Sequence, residues 1–264
     1  AQLYIEKLEK ERYEKEVAVA KEIQQLLLPQ QLPQSKHFEI AALNIPSREI
    51  GGDFYDFVDI SGHALGLAIA DVSGKGIPGA ILMSNLQAVF RANAIQYTPP
   101  ETVVSKVNNH LASSISAEKF VTFLYGIFDA KKRQFAFTNA GHNFPLLYRN
   151  QEVEMIAGAD LIVGVRANSQ YRTQTMKLRP KDTLLFYTDG VTEAFGQSGE
   201  LFGEARLKKL LETNGHLPVK NIIDIISAEL SGFTGQPQFS DELTIVLIRQ
   251  FCCDATIFSA QINL

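Results

Sequence analysis

The stretch GGDFYDFVDISGHALGLAIADVSGKG, Gly51 to Gly76, reads as a strand, a tight turn and a second strand, with Ser61, Gly62 and His63 at the turn. An antiparallel pair centred on Gly62 sets Phe54 opposite Ala70 and Asp53 opposite Asp71. Like charges directly opposed across paired strands destabilise the ladder, and each carboxylate raises the pKa of the other. Two aspartates held there need a compensating cation, and the nearby sequence offers only Lys75. The hairpin therefore predicts a sheet and a charged edge to it.

The rest of the chain has the composition of a globular protein. Its 264 residues are 45% hydrophobic and 20% charged, which suits one large domain or two small ones with a buried core. No apolar run approaches the roughly 20 residues of a membrane span, and the N-terminus lacks the basic-then-apolar layout of a signal peptide. The first residue is Ala1, so a fragment of a longer chain is expected. A net charge of −4, with no basic cluster interleaved with aromatics, gives no electrostatic case for nucleic acid. Cys252 and Cys253 are adjacent and have no spaced partner, which excludes a structural zinc site or a secretory disulfide framework and fits a reducing, cytoplasmic setting.

Residues 1 to 22 mix Glu with Lys and Arg and contain no Gly or Pro, the pattern of a long solvated helix. An apolar stripe enters its second half at Val19 or Ala20, Ile23, and Leu26 or Leu27, before Pro29 disfavours helix at Leu28. Either this helix packs on its own domain or it forms a coiled coil that dimerises and joins an upstream sensor; Arg12 and Lys15 interrupt a strict heptad. After Pro33 come short runs rich in Ile, Val, Phe and Tyr: 38–44, 53–60, 64–72, 120–129, 133–140, 145–149, 171–178, 182–190 and 242–250. Most are joined by short turns, which implies antiparallel pairing. Helical segments come in pairs, 77–95 with 99–115 and 203–213 with 218–231. The fold class expected is α+β, two antiparallel sheets packed together with helix pairs outside, in layers, with an N-terminal helical extension. The organisation expected is a helix and linker over 1–34, one domain over 35–250 and a tail over 251–264.

Two more aspartates sit at strand ends, Asp189 after Leu184–Thr188 and Asp241 before Leu243–Ile248. Alternation sets Asp71 with Leu67 and Ile69, Asp189 with Leu185 and Tyr187, and Asp241 with Leu243 and Ile245, each on an apolar face if the strands stay regular. Two of the four aspartates end strands and two begin them, so antiparallel neighbours can gather all four at one edge. Such a cluster raises its own pKa values unless hard divalent cations sit in it, and an all-oxygen donor set favours Mg²⁺ or Mn²⁺ over zinc. The plainer reading is that each aspartate caps a turn, as Asp-Gly at 189–190 and Asp-Val-Ser-Gly at 71–74 commonly do.

A series of segments then matches a known family: EIQQLLLPQQLP (22–33), PSREIGGDFYDF (46–57), LAIADVSGKGIPGAILM (67–83), TNAGHNFPLLY (138–148), LLFYTDGVTEA (184–194), ELFG (200–203) and SDELTIVLI (240–248). In this order and over residues 22 to 249, they make the chain resemble the metal-dependent protein phosphatases of the PPM superfamily, of the SpoIIE/RsbU type. The resemblance implies the αββα sandwich with two Mn²⁺ or Mg²⁺ ions at one edge. Asp71 would bridge both ions, the Val72 carbonyl would ligate one, Asp189 and Asp241 would complete the other, and Asp53 would serve the first ion directly or through water. The acidic pair before the last strand, often Asp-Asp in the family, is here Asp241-Glu242. Arg48, five residues before Asp53, stands at the offset of a phosphate-binding arginine in eukaryotic-type members; its alternative is a surface ion pair. His142, in AGHN, is either a proton donor to the leaving alkoxide or a structural turn residue, and the second is preferred. Lys75, in SGKGIPG, lacks P-loop spacing, so its glycines turn the strand into a helix near Pro78.

The implied activity is serine/threonine phosphatase: water attacks the phosphorus of a phosphoserine or phosphothreonine in line, with no covalent enzyme intermediate. The implied substrate is an anti-anti-sigma (STAS) protein in bacterial stress or developmental signalling, under an upstream sensor or activator, with a homodimer through the N-terminal helix. A catalytically silent pseudophosphatase or phosphoprotein-binding module is the alternative class. A two-metal nuclease is disfavoured by the acidic charge.

Overall fold

In chain order the elements are α1 (Gln2–Leu27), β1 (Phe38–Ile45), β2 (Phe54–Ser61), β3 (Ala64–Val72), α2 (Ile77–Asn93), α3 (Pro100–Ser114), β4 (Val121–Asp129), β5 (Gln134–Ala140), β6 (Leu146–Arg149), β7 (Glu152–Met155), β8 (Gln174–Lys177), β9 (Thr183–Tyr187), α4 (Asp189–Thr192), α5 (Gly203–Asn214), α6 (Val219–Thr234) and β10 (Leu243–Gln250). The computed structural model describes residues 2–47, 50–74, 76–115, 119–235, 239 and 241–251.

The β2–β3 hairpin has the expected register, with Phe54 opposite Ala70, Phe57 opposite Leu67 and Asp59 opposite Leu65. A bulge between Asp59 and Ser61 shifts the last pair to Ser61 opposite Ala64, next to the turn. The hairpin belongs to a sheet of order β2-β3-β4-β5-β8, and a second sheet has order β1-β10-β9-β6-β7. Every named pair is antiparallel.

Alternation along each strand builds three apolar layers. On β3, Leu65, Leu67 and Ile69 face the second sheet; with Phe128, Phe135 and Phe137 of their own sheet they pack against Phe186, Val246 and Ile248 of the second. Ala64, Ala68, Ala70 and Val72 face outward onto α2 and α3, against Met83, Leu86, Phe90, Val104 and Val107. The short alanine side chains leave room for the helices to pack. The outer face of the second sheet, with Leu185, Tyr187, Leu243 and Ile245, is covered by α5 and α6 through Leu207, Leu211, Ile222 and Ile226. The result is the αββα sandwich. Burying a side chain the size of Leu or Phe contributes about 1.5–3 kcal/mol, so these three layers hold the sheets in register.

Three details depart from the sequence reading. β7 was not expected: Asn150 and Gln151, at φ 54° and 68°, make the primed turn that joins it to β6, and no glycine marks it. Its exposed Glu152 and Glu154 suit an edge strand. The expected run 182–190 stops at Tyr187, since Asp189 starts the single turn of α4. On α1, Val19, Ile23 and Leu26 point outward; the buried side carries Val17, packed on Ile50 and Ala80, and Gln24. The helix is joined to the domain by Gln24, which bonds the Gly51 backbone, and by Val17 and Ala20 on the Ile50–Ala80 cluster; of the expected stripe, Ala20 takes part and Val19, Ile23 and Leu26 do not. No helix among the described residues is long and apolar enough to cross a membrane. Of the tail over 251–264, all but Phe251 lies outside the described residues.

Candidate metal centre

β2 begins just after Asp53, and β3 closes just after Asp71, so the hairpin register brings these two residues to the next position beyond Phe54 and Ala70. On the second sheet, β9 ends at Tyr187 and β10 begins at Leu243, and the two are paired, which brings Asp189 and Asp241 to one end. The ends meet across the sandwich. Asp53 Oδ2 accepts hydrogen bonds from Thr188 Oγ1 at 2.7 Å and Thr244 Oγ1 at 2.6 Å. Thr188 and Thr244 are themselves tied, through Thr188 N–H to the Thr244 carbonyl at 3.1 Å and Thr244 N–H to Thr188 Oγ1 at 3.0 Å. Next to Thr188, Gly190 lies against the Glu242 carbonyl, and a Cβ built there would be 3.5 Å from the Asp241 Cβ.

Neither threonine was singled out from the sequence, although a signal existed. Alternation from Leu184 and Phe186, and from Val246 and Ile248, sets Thr188 and Thr244 on the face between the sheets, where an otherwise apolar run turns polar at its last position. The same alternation cannot place Asp189 or Asp241, because both lie beyond regular strand; Leu185, Tyr187, Leu243 and Ile245 face α5 and α6. The strand ends that carry the four aspartates lie at one edge of the sandwich rather than on one face.

Asp53 is buried, and its carboxyl is pushed well above the usual carboxylate range, first by burial and then by the nearby charges of Asp71 and Glu242. Bonds from Thr244 and Thr188 partly offset this by favouring the ionised form. Val72 offers its carbonyl beside the same loop: a Cβ on Gly52 would come within 2.8 Å of that oxygen. Glycine at 52 is therefore required by the close approach of backbone to backbone. Carboxylates and a backbone carbonyl are hard oxygen donors, and opposed carboxylates gain most from a divalent cation, so the donor types fit Mn²⁺ or Mg²⁺. Among the described residues, no three of the His, Cys, Asp and Glu side chains form a closed metal-ligating group. The fit rests on donor chemistry and the common edge.

His142 is fully enclosed at 3% exposure. Asn139 shapes its turn, accepting from His142 N–H at 2.7 Å and donating to the His142 carbonyl at 2.9 Å. The ring Nδ1 is 2.9 Å from Thr122 Oγ1, and Thr122 pairs with Asp71 in the β3–β4 ladder. Nε2 has no hydrogen-bond partner among the described residues. Burial pushes the imidazole down to about 3, against a smaller opposing effect of the Tyr187 backbone, so it is neutral and shielded from solvent. This favours the structural role over a proton donor. Because the folded value lies below the ordinary 6.5, the contribution of His142 to stability is complete above pH 6.5 and is lost progressively as pH falls toward about 3. Between pH 6.5 and 4.5 the loss is expected to be on the order of 2 kcal/mol. Urea unfolding at both pH values should show a smaller drop for His142→Asn than for the wild type, and equal drops would refute the assignment. Arg48 and Lys75 lie outside the described residues.

Comparison with known proteins agrees with this architecture. The sequence model of the family described as Stage II sporulation protein E (SpoIIE) matches residues 61–251. The chain is 29% identical over 241 residues to phosphoserine phosphatase RsbU of Bacillus subtilis, covering 89% of this chain and 70% of RsbU. Two further curated relatives are spanned over 41% and 45% of their own length. Among solved structures, the SiaA-PP2C domain of Pseudomonas aeruginosa superposes with a TM-score of 0.81 at 23% identity, covering 91% of this chain and 98% of that domain. The catalytic domain of the serine/threonine phosphatase PstP, solved with 2 manganese ions, has a TM-score of 0.61 at 15% identity, over 82% of this chain and 99% of that one.

Proposed function

Because the chain belongs to the SpoIIE family, we propose that it is a metal-dependent phosphatase that hydrolyses a phosphoserine or phosphothreonine monoester on a protein, with water as the nucleophile. The observation that carries this reading is the edge where buried Asp53, one position beyond the Phe54–Ala70 pair and near the charge of Asp71, is gripped by Thr188 and Thr244 of the other sheet. The residues proposed to hold two Mn²⁺ or Mg²⁺ ions are Asp53, Asp71, Asp189 and Asp241, with the Val72 carbonyl. When bound, such a pair supplies Lewis acidity, a lowered pKa for water and neutralisation of phosphoryl charge. The protein's own part is orientation. Two hydroxyl donors aim the Asp53 carboxyl and favour its ionised form against the burial that raises its pKa, and Thr122 steadies the backbone of Asp71 through contacts of 3.3 and 3.5 Å.

The proposed substrate is a phosphorylated anti-anti-sigma protein of the STAS type in bacterial signalling, supported by the likeness to RsbU, named a phosphoserine phosphatase. Arg48 is proposed as a phosphate-binding residue. An upstream sensor or activator acting through α1, a dimer through that helix and a cytoplasmic location complete the reading. Support for the dimer comes from the exposed Leu3, Ile5, Leu8, Val19, Ile23 and Leu26.

The test is phosphate release from a phosphorylated STAS-domain protein and from p-nitrophenyl phosphate, after EDTA treatment and again after Mn²⁺ is restored. Release only with metal is expected. A folded protein that takes up Mn²⁺ yet releases nothing, even with its candidate activator, would refute hydrolysis and favour a phosphoprotein-binding role.

A further inference from the structure

Glu242 was read from the sequence only as a departure from an Asp-Asp pair. In the structure it is 7% exposed and reaches across the sandwich from the start of β10 to the loop that carries Asp53. Its Oε2 accepts the backbone N–H of Gly52 at 2.6 Å and that of Asp53 at 2.7 Å. Two charge-assisted bonds converge on one oxygen, each shorter than the usual N–H···O distance. The carboxylate also occupies the space of a side chain at Gly51, where a built Cβ would come within 2.7 Å of the Glu242 Cδ and 2.9 Å of its Oε1. Gly51 in turn is held from the far side by Gln24 of α1, whose Oε1 accepts the Gly51 N–H at 3.0 Å and whose Nε2 donates to the Gly51 carbonyl.

The backbone of Glu242 is fixed as firmly. Its N–H donates to Asp241 Oδ1 at 2.9 Å, and its carbonyl fits the space left by Gly190. One residue thus joins the elements that carry Asp241 and Asp189 to the loop that carries Asp53. A carboxylate placed beside Asp53 adds repulsion there, and its two amide bonds work against that cost.

We propose that Glu242 is a positioning residue, a clamp that sets the Gly52–Asp53 backbone so that Asp53 meets the cations proposed to bind at this edge. The clamp acts through hydrogen bonds to the loop, not by ligating metal. An acceptor oxygen of the same reach should therefore replace it. The proposal rests on the metal-dependent reading above, and its test separates the two.

Three proteins are compared: wild type, Glu242→Ala and Glu242→Gln. Mn²⁺ affinity is measured by calorimetry without substrate, and hydrogen exchange of the Gly52 and Asp53 amides is measured in metal-free protein. Loss of a residue that supports a metal ligand typically weakens binding about 10–100-fold, the expectation for Glu242→Ala. Both amides should exchange faster in Glu242→Ala, and Glu242→Gln should restore protection and bring Mn²⁺ affinity to within about threefold of wild type, a difference of ~0.7 kcal/mol. Unchanged exchange at both amides in Glu242→Ala would overturn the clamp. Equal loss of Mn²⁺ affinity in the Ala and Gln variants, with exchange restored in Gln, would make Glu242 a ligand and also overturn it. A wild-type protein that takes up no Mn²⁺ would refute the metal reading, and the exchange data would still judge the clamp by themselves.

Discussion

Asp71→Asn is expected to lower metal-dependent phosphate release by about a thousandfold or more, equivalent to ~4 kcal/mol of transition-state stabilisation, while leaving the fold intact. The substitution keeps shape and one acceptor oxygen but removes the charge that faces Asp53 across the hairpin, one position beyond Phe54 and Ala70. Asp71 contributes to the pressure that pushes Asp53 above the usual carboxylate range, so the variant relieves repulsion in the metal-free protein. Its unfolding free energy is expected to stay within about 1 kcal/mol of wild type, as for a partly exposed position outside the core. Turnover and urea unfolding should be measured on the same preparation. Near wild-type turnover would remove Asp71 from the centre, and collapse of the fold would show that the carboxylate serves structure instead.

Gly190→Ala should be the most damaging small change at this edge. A methyl group there would overlap the carbonyl oxygen of Glu242, a backbone atom that cannot swing aside as a flexible side chain would. Overpacking against rigid backbone is expected to cost about 3 kcal/mol. Separation of α4 from β10 would move Asp189 relative to Asp241, and a shift of about 1 Å at a reacting centre can cost on the order of a hundredfold in rate. Gly62→Ala is the control. A Cβ at Gly62 meets nothing within 4 Å, and its effect should stay within about 0.5 kcal/mol. Thermal melts and turnover of both variants check this pair, and equal stability of Gly190→Ala and Gly62→Ala would contradict the packing of α4 on β10.

The sequence by itself determined the hairpin register, the helix pairs and the two-sheet sandwich. Those features are written locally: side chains alternate with a period of two along a strand, a short turn fixes which residues face each other, and proline and glycine bound the helices. Asp53 opposite Asp71 follows from that arithmetic alone. The turn at Asn150 and Gln151 escaped because residues other than glycine adopt its left-handed conformation.

Tertiary structure alone decided how the edge is held together. Thr188 and Thr244 reach Asp53 from the opposite sheet, and Glu242 bonds Gly52 across 190 positions of chain. Gly190 reads in the sequence as a turn residue after Asp189, whereas its actual reason is the carbonyl of Glu242 lying where a side chain would be. No periodicity encodes contacts between residues so far apart, because they exist only once the apolar layer between the sheets has closed and brought the two strand ends together.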